Sequence, residues 1–460
     1  MFSADTIKST NAKPWHWPVA LGLFCAALAF MIYRGPIRAL GPGGSSDFSL
    51  IWQSTRAFTS GLSPYEVASI QHAWETHSNS DLSPPSERNA ALLVYPPSTF
   101  VLMTPWCRGD WATGRMGWML TGTMLLLATV GGCLRLAGLS WRTPRYWLAA
   151  AAALAMAPGH TCISVGQPSL LVMFLIVVAQ VLRDRPPTWR PASKGESAVA
   201  GIALGLACAL KPQIGLIFLA YELGRLRWRT ALTGAVVAGI VLAIGVWKLH
   251  ASGIDWLPQW RANLAAFAAS DNADPTSANP LRYHLINLHF WLHTFTDNRE
   301  LVKWTVYALV AALCGTFFLA DRGGTAPGGT ALQSGASWTK PQDRADLITL
   351  SFLAAISMLV VYHRLYDAVV LLFPLVWLFA KSHAPRRTAW TPVMALCLLA
   401  FYIPGASLMN SLVVSGKIPP SIANSFVFTS FVMPHAVIAL VGLAVSAIAI
   451  RALSHSRPEA

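Results

Sequence analysis

The chain has 460 residues, 54% of them hydrophobic and only 12% charged. Soluble domains carry about 25% charged residues, so a soluble fold would lack the polar surface to cover these apolar side chains, and an integral membrane protein is the class that remains. The formal charge of +14 raises nucleic acid as a partner, but Arg and Lys here punctuate apolar runs and form no continuous basic stripe, which excludes that class.

The first apolar run, 18–33, is followed by Arg34 and Arg38 and by no small-x-small cleavage site. It reads as an uncleaved membrane span, not a removable signal. The next stretch, SSDFSLIWQSTRAFTSGLSPYE (45–66), is amphipathic. Phe48, Ile51, Trp52, Thr55 and Phe58 share one helical face, and Ser49, Gln53, Arg56 and Ser60 share the other. Gly61 stops that helix. Ser63, Pro64 and Glu66 then make a capping box for a second one. Both helices are expected to lie along the membrane interface on their aromatic faces.

The run YPPSTFVLMTPW (95–106) is apolar but too short to span, with prolines near both ends. It is read as a re-entrant or interfacial segment, which is tolerated at membrane depth only against protein or a cavity. Further apolar segments follow at 115–134, 146–160, 168–182, 198–210, 213–224, 230–249, 302–320, 347–362, 367–380, 391–411 and 426–450, giving twelve candidate spans with the first. Several fall short of the ~20 residues a perpendicular helix needs.

Cations fall in alternate connections: Arg135, Arg142 and Arg145, the run 183–194, the run 225–229, the Gly/Ala-rich loop 321–345 with Arg322, Lys340 and Arg344, the run 381–387, and Arg451. The positive-inside rule assigns these loops and both termini to the cytoplasm. The outer loops are then 34–114, 161–167, 211–212, 250–301, 363–366 and 412–425, and 321–345 is a flexible cytoplasmic linker. No internal repeat is evident, so residues 1–460 are read as a single transmembrane domain.

Charge-bearing side chains gather at the outer ends of the spans. Asp47 opens the first amphipathic helix, either as a helix cap or as a reactive carboxylate. Tyr95 opens the re-entrant segment, and His160 and Gln167 bracket a short turn. Lys211 tips a hairpin between ACAL and PQIGLIFL, where a charge needs a partner or a cavity: a structural salt bridge or a ligand phosphate. His363, Arg364 and Asp367 lie in YHRLYD (362–367), whose plain reading is an interfacial loop with an Arg364–Asp367 ion pair. His284, His289 and His293 contain an i,i+4 pair, but no carboxylate or Cys completes a metal site there, so no metal is expected. The segment 271–280 reads as a solvated loop. The seven cysteines lie mostly inside apolar runs and read as packing residues, not as a disulfide framework.

In this order SDF…W…A…G…SPY (46–65), YPP…P (95–105), GQPSLLV (166–172), AGIALGLACALKPQ (200–213) and YHRLYD (362–367) resemble glycosyltransferase family 87, membrane enzymes of the GT-C fold related to polyprenol-phosphate-mannose-dependent α-1,2-mannosyltransferases. PLRYHLINLHFWLH (280–293) departs from the Asn-rich segment of that family, on the acceptor side. The resemblance implies an all-α polytopic GT-C protein of the bacterial cytoplasmic (inner) membrane with an extracytoplasmic active site. It implies a polyprenyl-phosphate sugar as donor, a glycan or glycolipid as acceptor, and no cofactor. The family's catalytic acid maps onto Asp47 and a functional histidine onto His363. With the donor phosphate as leaving group, the chemistry needs one base and several cations, which Asp47 and Lys211, His363 and Arg364 supply. A single carboxylate base inverts the anomeric centre. Two other readings compete. A permease of twelve spans should show two related halves, and an O-antigen polymerase or ligase type enzyme should carry a larger Arg- and His-rich late loop than 250–301.

Overall fold

The computed structural model describes residues 15–79, 93–183, 194–276, 278–279, 281–322, 346–380, 388–402 and 405–455. Among these the regular secondary structure is helical, and its single β feature is an isolated antiparallel bridge between Leu285 and Arg364. The helices in chain order are α1 (His16–Ile32), α2 (Ser46–Thr59), α3 (Val67–His77), α4 (Pro97–Met103), α5 (Trp111–Leu136), α6 (Pro144–Ala155), α7 (Ala157–Val165), α8 (Ser169–Arg183), α9 (Lys194–Leu210), α10 (Pro212–Gly224), α11 (Trp228–Ala251) and α12 (Trp256–Ala268). After a short turn of helix at Leu288–Leu292 come α13 (Arg299–Arg322), α14 (Leu347–Val360), α15 (Leu372–Phe379), α16 (Trp390–Leu399), α17 (Gly405–Val414) and α18 (His435–His455).

Every candidate span coincides with a helix or a helix pair, but their lengths divide them. Among the described residues five stretches are long and apolar enough to cross a bilayer: His16–Leu40, Trp111–Leu136, Trp228–Ala251, Arg299–Asp321 and His435–Ser454. The pair α6–α7 makes a sixth if it is one span, bent by 48°. The break has a local cause. Pro158 in the first turn of α7 has no N–H and would collide with a carbonyl one turn back, so Met156 turns extended and Ala157 N–H bonds Phe401 O at 2.9 Å. The run 391–411 likewise divides into α16 and α17. The cation-rich runs 184–193 and 381–387 lie outside the described residues. So does the linker expected at 321–345, except Asp321 and Arg322, which still belong to α13.

Short and long spans differ in what surrounds them. In α14 almost every side chain from Leu347 to Leu359 is buried. A short helix enclosed by protein has its ends satisfied by neighbours and need not reach either membrane face. On α11, by contrast, Leu232 is 65% and Trp247 70% exposed, the stripe a lipid-facing helix presents. Its other face packs on α9 through small residues: a Cβ on Gly201 would stand 2.7 Å from Thr230 O.

In the loop 34–114 the helices depart from the expectation that their aromatic faces lie on the membrane. The aromatic face of α2 points into the protein. Phe48 stacks on Trp118 and Trp111, with ring centroids 5.6 and 5.8 Å apart, and Trp52 meets Trp74 and Trp111 edge-on. Such offset-stacked and edge-on ring pairs add about 0.5–1.5 kcal/mol each beyond the area they bury. The capping box does not form either. The Ser63 hydroxyl bonds Gln259 and accepts the Tyr65 N–H, Glu66 takes the Ser69 hydroxyl, and α3 begins only at Val67. Gly61 ends the α2 segment as expected, at φ 77°.

The segment read as re-entrant or interfacial contains a seven-residue helix, α4, about 10 Å long and too short to span. Its Ser98 and Thr99 hydroxyls donate to Ala209 O at 2.6 Å and Leu210 O at 3.2 Å, two of the carbonyls left open where α9 ends. Gly245 of α11 permits the approach, since a Cβ there would lie 2.8 Å from the Pro97 backbone.

Two polar clusters mark opposite ends of the helical body, with α8 running between them. At one end Glu222 takes Arg183 and Arg227, and Arg451 bridges Asp321 and Asp346. At the other end stand most of the side chains singled out from the sequence.

Candidate active site

The site begins with the backbone that aims Asp47. Ser45, in the left-handed region at φ 56°, donates its N–H to Ser164 O at 2.7 Å, and its hydroxyl bonds Ala39 O at 3.1 Å. This ties the start of α2 to the end of α7. Asp47 lies in the first turn of α2, where the positive end of the helix dipole favours a carboxylate. It is half-buried, and its oxygens accept from Gln167 Nε2 and, at 3.4 Å, from the Ser46 hydroxyl. The carboxylate is therefore held across the fold, by a residue 120 positions away.

Gln167 is itself fixed. Gly166, at φ 78°, closes α7, and both Gly166 and Gln167 N–H donate to Cys162 O at 3.0 Å. Trp118 Nε1 holds Gly166 O at 2.8 Å. The Tyr95 hydroxyl donates to Gln167 Oε1 at 2.9 Å, so the amide nitrogen is left to face Asp47. Burial first, then the charges of Asp47 and Asp367, push the Tyr95 phenol far above its ordinary value, and it remains a donor.

Beside this line lies a buried ionic knot. Lys211 Nζ meets Asp367 Oδ1 at 2.7 Å and Ser169 Oγ at 2.8 Å. Ser169 Oγ donates to Asp367 Oδ1 at 2.5 Å, and His363 Nδ1 stands 3.1 Å from Asp367 Oδ2. Lys211, Asp367 and His363 are 3%, 1% and 0% exposed. Lys211 thus has the salt bridge that one reading of the sequence required, and its partner is Asp367. The Arg364–Asp367 pair read from the loop does not form. Arg364 occupies extended backbone ahead of the following 3₁₀ turn and sends its guanidinium to Asn272 Oδ1 at 2.7 Å and over the Tyr362 ring. Among the described residues no carboxylate pairs with Arg364.

The loop 250–301 closes over the loop 34–114. Asn263 of α12 donates to Tyr65 O at 3.0 Å, Phe267 packs edge-on against Tyr362, and Ile286 N–H bonds His363 O at 3.1 Å beside the Leu285–Arg364 bridge. The stretch read as a solvated loop, 271–280, therefore supplies Asn272 to the site.

Of the residues drawn from the sequence, Asp47, Tyr95 and Gln167 form one connected line, and Lys211, His363 and Asp367 form another. Arg364 borders both through its loop. His160 does not join them: it packs edge-on against Phe30 of α1 at 5.3 Å and its Nε2 is buried without a partner. His284, His289 and His293 are not gathered into a ligand set, and no three His, Cys, Asp or Glu among the described residues are grouped to share an ion. Ser169 and Asn272 were missed. Ser169 follows directly on the GQP turn, and its spacing from Lys211 gave no signal of a contact made across 42 positions.

The family model for glycosyltransferase family 87 matches residues 93–401, which include Tyr95, Gln167, Lys211 and the 362–367 loop and begin after Asp47. No curated protein matches, and no solved structure matches.

Proposed function

The chain belongs to glycosyltransferase family 87, and from that premise we propose that it transfers a sugar, with mannose favoured, from a polyprenyl-phosphate donor to an acceptor hydroxyl on the extracytoplasmic face of a bacterial inner membrane. The reading places both termini and the Arg183–Glu222 end in the cytoplasm. The observation that carries it is the Gln167-oriented, half-buried Asp47 carboxylate next to the buried Lys211–Asp367–His363 ionic knot.

In this reaction Asp47 takes the proton of the acceptor hydroxyl. The acceptor oxygen attacks the anomeric carbon from the face opposite the phosphate, the anomeric C–O bond breaks, and its electron pair leaves on the polyprenyl phosphate. Asp367 is occupied by Lys211, Ser169 and His363, which leaves a single carboxylate for proton transfer and so supports single displacement with inversion. Arg364, with neutral partners, meets the developing phosphate charge as a planar, permanently charged donor. Lys211 and His363, through Asp367, hold the loop that carries it.

The test incubates purified protein with a panel of polyprenyl-phosphate sugars and scores release of polyprenyl phosphate. Asp47→Asn is expected to lower turnover by about 10²–10⁴-fold, the contribution of a general base, with protein yield and donor binding near wild type. Full turnover in that variant overturns the base assignment, and no release with any sugar overturns the donor class.

A further inference from the structure

A cavity of about 660 Å³, lined by three cationic side chains, opens on the same end of the molecule as the candidate site. It lies where the end of α2, the end of α4 and the last turns of α11 meet, and Arg56, Arg108 and Lys248 bring three positive charges to it. From these features we propose that it binds the phosphate headgroup of an anionic membrane lipid.

The charge there is uncompensated. Elsewhere Arg183, Lys211, Arg225, Arg227 and Arg451 each meet a carboxylate. Among the described residues, Arg56, Arg108 and Lys248 meet none. Arg56 donates one guanidinium nitrogen to Cys107 O and Arg108 O, and its Nε is buried with no partner. Lys248 makes one hydrogen bond, 3.3 Å to Thr59 O, and its ammonium lies 5.0 Å over the Phe58 ring. An ammonium has three donors and a guanidinium five, so the cavity holds several charge-assisted donors in excess of its protein acceptors, which is the surplus a phosphate satisfies.

The other walls identify the phosphate as a lipid's. Phe58, Val101, Pro105 and Ile244 are apolar. Ile244 belongs to the exposed stripe of α11 and is followed by the exposed Trp247, the kind of residue that marks headgroup depth. Lys248 lies one residue further on. A chain leaving the cavity past Ile244 enters the hydrocarbon directly.

This phosphate is not the one at the reaction centre. Arg56 and Asp47 are nine positions apart on one helix, which at 1.5 Å per residue puts them about 14 Å apart along its axis. Lys211, His363 and Arg364, the groups assigned to the donor phosphate, do not line this cavity either, so it is a second site, and the inference does not depend on the reaction proposed above.

The experiment measures binding of phosphatidylglycerol to the purified full chain in a neutral detergent, with phosphatidylcholine and inorganic phosphate as separate arms. Arg108→Gln/Lys248→Gln is the test variant, because it leaves the backbone contacts of Arg56 in place. Wild type is expected to bind phosphatidylglycerol, and the variant to bind it about thirtyfold more weakly, a factor of about five per cation. Asp47→Asn is expected to bind it as wild type does. The proposal is overturned by equal affinity in wild type and variant, by equal affinity for the two lipids, or by inorganic phosphate binding as tightly as the lipid.

Discussion

Replacing Lys211 by methionine keeps most of the side-chain volume and removes the charge that faces Asp367. At 2.7 Å and an effective dielectric of about 20, the attraction between the two is about 6 kcal/mol. Burial of both groups offsets much of it. What the single variant exposes is the cost of leaving Asp367 charged and enclosed with only Ser169 and His363, roughly 3–5 kcal/mol. Asp367→Asn removes the opposite charge and restores neutrality, so Lys211→Met/Asp367→Asn should recover most of that loss, because a buried pair replaced as a unit is often near neutral. Unfolding of the four proteins in detergent completes a double-mutant cycle, and a coupling of about 2 kcal/mol or more is expected. Additive losses, with coupling below about 0.5 kcal/mol, refute the view that these two side chains act as one element. Donor affinity in the same set separates two roles. If Lys211 only holds the loop, the double variant binds donor as wild type does. If Lys211 touches the phosphate, both Lys211 variants lose donor binding.

Gln167→Leu should lower turnover by about 100-fold at nearly unchanged donor KM, since a misplacement of about 1 Å in a reacting group costs that much; a change confined to KM would show that Gln167 contacts donor and does not orient Asp47. Gly166→Ala forces a side chain into a left-handed position at φ 78° with its Cβ against Phe48, and should cost about 1–3 kcal/mol in thermal unfolding, with an unchanged midpoint contradicting the strain. Arg364→Gln should weaken donor binding while leaving the Lys211–Asp367 pair and the unfolding midpoint intact; unchanged donor affinity removes Arg364 from the phosphate.

Where the helices lie was legible in the sequence, because an apolar run of the right length declares itself. Which way an apolar face points was not. In a membrane protein lipid and core are equally apolar, so the Phe48–Trp52–Phe58 face carried no information on whether it meets lipid or protein. The partner of Lys211 was hidden for a related reason. The nearest cation to Asp367 in the chain is Arg364, three positions away, and the local pairing looks complete. Asp367 reaches instead to a lysine 156 positions earlier, because the turn of backbone before Leu365 sends Arg364 outward to Asn272. The capping pattern at Ser63 failed in the same way, overridden by a glutamine 196 positions downstream. Gln167 was legible as a turn residue next to a Gly-Pro punctuation, and its hold on Asp47 was not.

Helix α8 is a ruler for the depth at which the chemistry takes place. Its Ser169 end carries the Lys211–Asp367 knot, its Arg183 end carries the Glu222 pair, and its fifteen residues rise about 22 Å. The hydrocarbon of a typical bilayer is about 30 Å thick. The two charged ends are therefore closer together than the two surfaces of an undistorted membrane, by about 8 Å. Both ion pairs are enclosed by protein, so α8 carries charge at each end inside a bilayer thicker than itself, with neither end having to reach a membrane surface.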